Sequence, residues 1–455
     1  MYLVSKMGTF SCKPFNKKLP IWEFFVGNVK IKNIKAKTMD KIEKEFEVAV
    51  IGGGPAGMMA AIKASEKGSR VVLIEKNLNL GKKLLITGGG RCNITQAEFN
   101  NKKFVEKLGK KGQFLFSALA VFGPKQVCEF FEKNGLPVKT ERGRRVFPVS
   151  DKSPDVLNVL LKRLNKNKVK LLLGQEVVGL NVKDGKIVSI KLKEKEIFAK
   201  IIILATGGKA YPGTGSTGQG YFWAEKMGHK IIKPLPSLVP LEIKESWVVG
   251  LSGLGLKNVR VDVFQNNKKI DEKFGEMLFT HFGVSGPIIL DLSKRIGELM
   301  PKGEVTLKID LKPALDILTL DKRLQRDFQS KRIFKNYLPD LVPQKLGDLI
   351  VRFTKISPDK KLNSINKEER KKLINVLKAV ELTVRGAIGF GQAIITSGGI
   401  DLQEINSRTM RSKIIKNLFL AGEIIDLDGP TGGYNLQICW STGYIAGSNA
   451  TNLIM

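Results

Sequence analysis

The stretch EFEVAVIGGGPAGMMAAIKASEKGSRVVLIEK, residues 45–76, decides how this chain folds. A short β-branched apolar run at 48–51 meets glycines at 52, 54 and 57. A small-residue helix follows, and RVVLIEK reads as a second strand. The glycines fit G-x-G-x-x-G. Gly52 allows a tight turn, Gly54 lets backbone approach a pyrophosphate, and Gly57 lets the helix pack closely on the strand. The helix N-terminus then faces the phosphates with its free N–H groups and dipole. Glu75 closes the second strand 18 residues beyond Gly57, near the position where an acid accepts ribose hydroxyls. Strand, turn, helix, strand and acid together make a dinucleotide-binding βαβ unit.

Composition bounds the rest. The 455 residues suffice for two or three domains, and 42% hydrophobic with 26% charged residues is ordinary for a globular chain. No apolar run is read as reaching the roughly 18–20 residues that span a bilayer, so no membrane association is expected. Cys12, Cys92, Cys128 and Cys439 form no C-x-x-C, and His229 and His281 are the only histidines. A metal site is therefore not expected, and the cysteines read as reduced thiols in the cytoplasm. The formal charge is +33, which points to a polyanionic partner such as RNA. Residues 1–38 carry eight lysines and one acid and precede Met39. They read as an over-extended start or a disordered arm, with a targeting segment as the alternative.

Further along, KIIILATGG (200–208) reads as a buried strand whose Ala205, Thr206 and Gly207 leave room for a cofactor. GTGSTGQG (213–220) repeats the glycine spacing but follows Tyr-Pro, not a strand, so it reads as a loop entering a helix. Residues 164–198 read as strands around an Asp184-Gly185 turn, and 241–310 again as β structure. Between 314 and 378 the spacing turns helical, with 16 Lys/Arg against 8 Asp/Glu. That segment is either a solvated helical insertion or a nucleic-acid surface. The chain closes with a strand, a glycine loop and a small-residue helix.

TGGGRCN (87–93), RRVFPVSDKSPDV (144–156), LFTHFGVSGPIIL (278–290) and LFLAGEIIDLDGPTGGYNLQICWSTGYIAG (418–447) join the opening fingerprint in order. Together they resemble the BaiN/RdsA-type NAD(P)/FAD-dependent oxidoreductases, also described as aminoacetone-oxidase-like or HI-type flavoproteins. The likeness runs from about 45 to 453. It implies an α/β fold: a Rossmann-like FAD-binding domain built from both chain ends, at 39–240 and 401–455. A small β-barrel domain, at 241–313 and 379–400, is inserted in it and is itself interrupted by the basic helical insert 314–378. The implied FAD contacts are Gly52, Gly54, Gly57 and Glu75 on the ADP half, with Pro55, Ala56 and Lys76 beside them. Val177, Ala205, Thr206 and Gly207 lie along the adenosine. Gly422, Glu423, Asp426, Gly432, Gly433, Tyr434 and Asn435 approach the flavin end.

TGGGRCN comes one short loop after Glu75, where the chain runs along such a cofactor. Gly89 frees backbone N–H groups to face the ligand, while Arg91 and Asn93 supply side-chain donors. Cys92 is open between a small packing residue and a redox or proton-donating thiol. His281 is open between a loop-fixing histidine and a general acid. The resemblance implies reduction of a carbon–carbon double bond with NAD(P)H as electron source, with uridine in large-subunit ribosomal RNA as substrate. Arg142, Arg144 and Arg145, with Arg323, Arg326, Lys331 and Arg332 of the insert, are the candidate phosphate contacts. A small-molecule amine oxidase or enoate/steroid-like reductase is one alternative. A flavin-containing RNA-binding factor without turnover is another.

Overall fold

Short, nearly uninterrupted apolar strands build the central sheet, as strands buried on both faces must be. In chain order they are Phe46–Ile51, Val71–Glu75, Lys170–Leu173, Ala199–Leu204 and Leu418–Leu420. All pair in parallel, in the spatial order 3-2-1-4-5. The order reverses between the first and fourth strands, and ligands of doubly wound sheets bind at the carboxyl ends beside that reversal. The structure, a computed structural model, describes residues 46–454. The arm read at 1–38 and the start at Met39 lie outside the described residues.

The two chain ends meet in a pair of helices. Pro55–Ser65 follows the glycine turn, and Tyr434–Ala450 lies against it. Small residues permit the contact: a Cβ on Gly443 would fall 2.4 Å from the Ala56 carbonyl oxygen, and one on Gly447 would fall 2.3 Å from that of Ala60. The Rossmann-like lobe is thus closed by a helix some 380 residues from the one it covers.

The second lobe is a closed six-stranded antiparallel barrel. Its strands are Leu241–Ile243, Gly255–Gln265, Lys268–Phe279, Gly283–Ser285, Val305–Asp310 and Val380–Ala387. Four α-helices, Ile317–Asp327, Phe334–Leu341, Gly347–Thr354 and Lys367–Lys378, stand between the last two barrel strands. Leu320, Leu324, Leu373 and Leu377 of these helices share one core with Val261, Leu307 and Leu382 of the barrel. The insert's apolar side rests on the barrel, and its charges face outward.

Three local details depart from the sequence reading. The segment read as β at 241–310 carries a helix, Pro287–Leu299, started by Gly286-Pro287 and burying Ile288, Ile289, Leu292 and Ile296 at helical spacing. Strand Ile395–Ile400, expected within the barrel domain, pairs instead with Ile231–Ser237 in a separate two-stranded ribbon. The stretch Gly109–Lys133 is long and apolar enough to pass for a membrane span by composition. It is broken at Gly123-Pro124 into separate helices, and Leu115, Leu119, Phe122, Val127 and Phe131 are buried in the core.

The helix pair sets the first expected outcome. The double variant Gly443→Ala, Gly447→Ala should lose roughly 1–3 kcal/mol to overpacking. Its melting temperature should fall by several degrees. An unchanged melting temperature would contradict the packing described.

Candidate active-site cleft

A cleft of about 900 Å³ opens at the carboxyl ends of the first and fourth strands. It is at the upper end of the roughly 300–1,000 Å³ of ligand sites. Its walls come from both lobes: the glycine turn and Ala205-Thr206-Gly207 on one side, Phe274, Pro287, Ile288 and Asp291 on the other. Gly52 sits where the first strand ends, at φ 106°. A Cβ there would lie 2.4 Å from the Ala205 carbonyl oxygen, so only glycine fits. Gly57 packs behind it on the Gly52 carbonyl and does not line the cleft. Gly54 is different: a Cβ there meets nothing within 4 Å and points into open space.

Glu75 ends the second strand on the cleft wall. Its Oε2 accepts the Gly53 N–H at 2.7 Å, and its Oε1 accepts the Asn77 N–H at 2.8 Å. The acid therefore clamps the glycine turn and keeps acceptor capacity toward the cleft. Pro55, Ala56, Lys76, Val177 and Gly89 also line it, and Lys76 donates to Thr217 Oγ1 at 3.0 Å. At the other end stand Gly422, Glu423, Gly432, Gly433 and Asn435. Glu423 is tied to Lys83 at 2.8 Å and to the Thr396 N–H at 2.8 Å. Asn435 staples the loop before it, accepting from Gly429 N–H and donating to the Gly429 carbonyl.

Three buried polar atoms on this wall have no hydrogen-bond partner among the described residues: Asn93 Oδ1, Gln96 Oε1 and Thr206 Oγ1. An orphaned buried polar group costs about 1–3 kcal/mol. Asn93 Oδ1 and Thr206 Oγ1, beside a glycine turn and an acid, suit a polar dinucleotide that supplies the missing partners. Among the described residues, no group of three His, Cys, Asp or Glu side chains could hold a metal ion.

Several singled-out residues are not brought to the cleft. Cys92 is fully buried at φ 62°. Burial pushes its thiol up to about 12, against a weaker opposing hydrogen bond to Thr87. It is a packed thiol, and the redox reading is withdrawn. His281 is exposed on the turn where Thr280 and Gly283 hydrogen-bond, its ring against Phe282, and it does not line the cleft. Asp426 is 3% exposed and turned to Lys111 at 2.6 Å. Tyr434 is buried against Phe104. Arg91 lines the cleft, yet its guanidinium is bound to Asp151 and Glu141 and lies over the Phe147 ring. It is a structural clamp, with no spare donor role assigned to it.

The arginines divide in the same way. Arg142 and Arg145 line the cleft, whereas Arg144 beside them is paired with Glu98 at 2.7 Å. Arg323 and Arg326 pair with Asp327, and Arg332 with Asp340. Lys331 is exposed, and none of these four insert residues lines the cleft. The sequence reading missed Asp291, Gln96, Lys83 and Phe274, all on the cleft wall. Asp291 accepts the Thr431 N–H at 2.8 Å, directly before Gly432-Gly433. Burial holds its carboxyl above the usual carboxylate range, with the Thr431 hydrogen bonds and Lys273 opposing.

Comparison with known proteins fits this geometry. The HI0933-like protein Rossmann domain matches residues 46–449. The chain is 31% identical over 408 residues to the 3-dehydro-bile acid delta(4,6)-reductase of Clostridium scindens, covering 89% of this chain and 98% of that protein. It is 30% identical over 402 residues to the ribosomal RNA dihydrouridine synthase of Escherichia coli, covering 88% and 97%. A solved 3-ketosteroid-delta4-(5alpha)-dehydrogenase from Rhodococcus jostii aligns with TM-score 0.51 and 17% identity over 91% of this chain and 99% of that one, a likeness of fold alone. The chain belongs to the HI0933-like Rossmann family of FAD-dependent oxidoreductases, and FAD is its cofactor.

Proposed function

We propose that this enzyme reduces uridine to dihydrouridine in large-subunit ribosomal RNA, with NAD(P)H as the electron source. The carrying observation is the charge at the cleft: Arg142 and Arg145 line it within a chain of formal charge +33. Phosphate neutralisation of this kind is what RNA binding requires. The relatives named as ribosomal RNA dihydrouridine synthases support the same reading. A cytoplasmic location goes with it. The glycine run at 213–218 enters a 3-10 turn at Pro212–Thr214 and not a strand–helix junction. NAD(P)H is therefore taken to reach the flavin transiently through the open cleft.

FAD bound here would, once reduced by NAD(P)H, supply a hydride to one carbon of the double bond. The chain's residues supply placement and the proton. Glu75 and the glycine turn would hold the adenosine and pyrophosphate, and Thr206 Oγ1 and Asn93 Oδ1 would complete the polar wall. Asp291 is assigned as the holder of the proton for the neighbouring carbon. It lines the cleft, is fixed by Thr431, and keeps its proton to higher pH than an exposed acid would. A second reading, reduction of a small enone, draws on the apolar wall of Leu238, Pro287, Ile288 and Ile394 and on the bile-acid reductase relative.

Asp291→Asn keeps an acceptor for Thr431 but holds no transferable proton. Turnover should fall by about 10²-fold with FAD content unchanged. The wild-type proton supply is complete below the folded-state pKa of Asp291 and is lost as pH rises through it. That alkaline limb of the rate profile should vanish in the variant, and an unchanged profile would remove the assignment. The substrate is tested by nucleoside mass spectrometry of large-subunit ribosomal RNA from cells with and without the gene. Dihydrouridine should be lost without it and restored by the wild type. A Gly54→Trp copy should not restore it, because its side chain projects into the open cofactor space. Unchanged dihydrouridine would favour the enone reading.

A further inference from the structure

Phe274 stands on the barrel strand Lys268–Phe279, lines the cleft and is 61% exposed. A large ring left this exposed gains from a partner that covers it. The turn that carries Arg142 and Arg145 lines the same cleft. Arg142 Nη2 donates to Asn258 Oδ1 at 3.1 Å, joining this turn to the barrel strand Gly255–Gln265. Arg145 Nε donates to the Arg142 carbonyl at 3.1 Å. Among the described residues neither arginine is paired with a carboxylate, although Arg91 and Arg144 near them both are. Behind the turn, Gln96 spends its Nε2 on the Gly143 carbonyl and leaves Oε1 unpartnered. A uracil that swings inward brings an imide N–H suited to that oxygen.

We infer that Phe274, Arg142 and Arg145 form a station at the cleft mouth for the nucleotides flanking the target uridine. A neighbouring base stacks on Phe274 while the two arginines neutralise the phosphates on either side of the extruded base. An aromatic face flanked by unpaired cations is the chemistry of single-stranded RNA. A steroid enone without an acidic group needs neither cation. This inference rests on the RNA reading of the cleft and adds the residues that recognise the strand.

The test uses the FAD-loaded enzyme and a fluorescent single-stranded oligoribonucleotide with a central uridine. Affinity is followed by anisotropy over a salt series, and FAD content is checked in each variant. Phe274→Ala and Phe274→Leu should weaken binding about ten-fold, while Phe274→Trp should keep it. The double variant Arg142→Ala, Arg145→Ala should flatten the slope of log affinity against log salt by about 0.7 for each phosphate no longer neutralised. If the wild type binds and reduces the oligonucleotide but all these variants match it in affinity and slope, the station is wrong and the RNA reading stands. If the wild type neither binds nor reduces it, the RNA reading fails and the station with it.

Discussion

Backbone meets backbone where Gly52 turns beneath the carbonyl of Ala205, and a methyl group there would overlap that oxygen. The close approach brings the ends of the first and fourth strands together at the reversal of the sheet. Gly57 and Ala56 then carry the contact to the helix pair, where Gly443 and Gly447 lie against carbonyl oxygens of Ala56 and Ala60. One constraint, the need for the chain to pass close to itself, thus sets the glycine turn, closes the lobe with its distant C-terminal helix, and leaves an opening at the strand ends. The cleft is the space this packing does not fill.

The ionic groups around the cleft separate by partner. Arg91, Arg144 and Lys83 are held by carboxylates. Glu141 lies below the usual carboxylate range chiefly through Arg91, and Asp151 through Lys139 and then Arg91. These are structural ties and are already satisfied. Arg142 and Arg145 carry charge without such a tie, and Asp291 is the carboxyl raised by burial on the cleft wall. Asp291 is held beside the loop of Gly432-Gly433 by the Thr431 N–H.

The sequence exposes what is encoded locally. The βαβ unit is legible because strand periodicity, glycine spacing and Glu75 fall within 32 residues, and a glycine pattern states its own backbone geometry. Helix Pro287–Leu299 is harder to read because it lies inside a run of strands and occupies only 13 residues. Asp291 carries no local mark at all. It is one of two acids in an amphipathic helix, and it meets the Gly432-Gly433 loop only through Thr431, 140 residues away. Cys92 and His281 attract notice by residue type, but type does not give direction, and the fold turns one inward and leaves the other on the surface. Arg91 likewise looks like a free donor until Glu141 and Asp151 arrive from a separate hairpin.

Electron transfer from bound flavin to a uracil base is tested by reducing the purified holoenzyme without oxygen and mixing it with a ribosomal RNA fragment or with a steroid enone. The RNA should restore the oxidised-flavin absorbance and gain dihydrouridine, while the enone should leave the flavin reduced. Reoxidation by the enone and not by the RNA would contradict it.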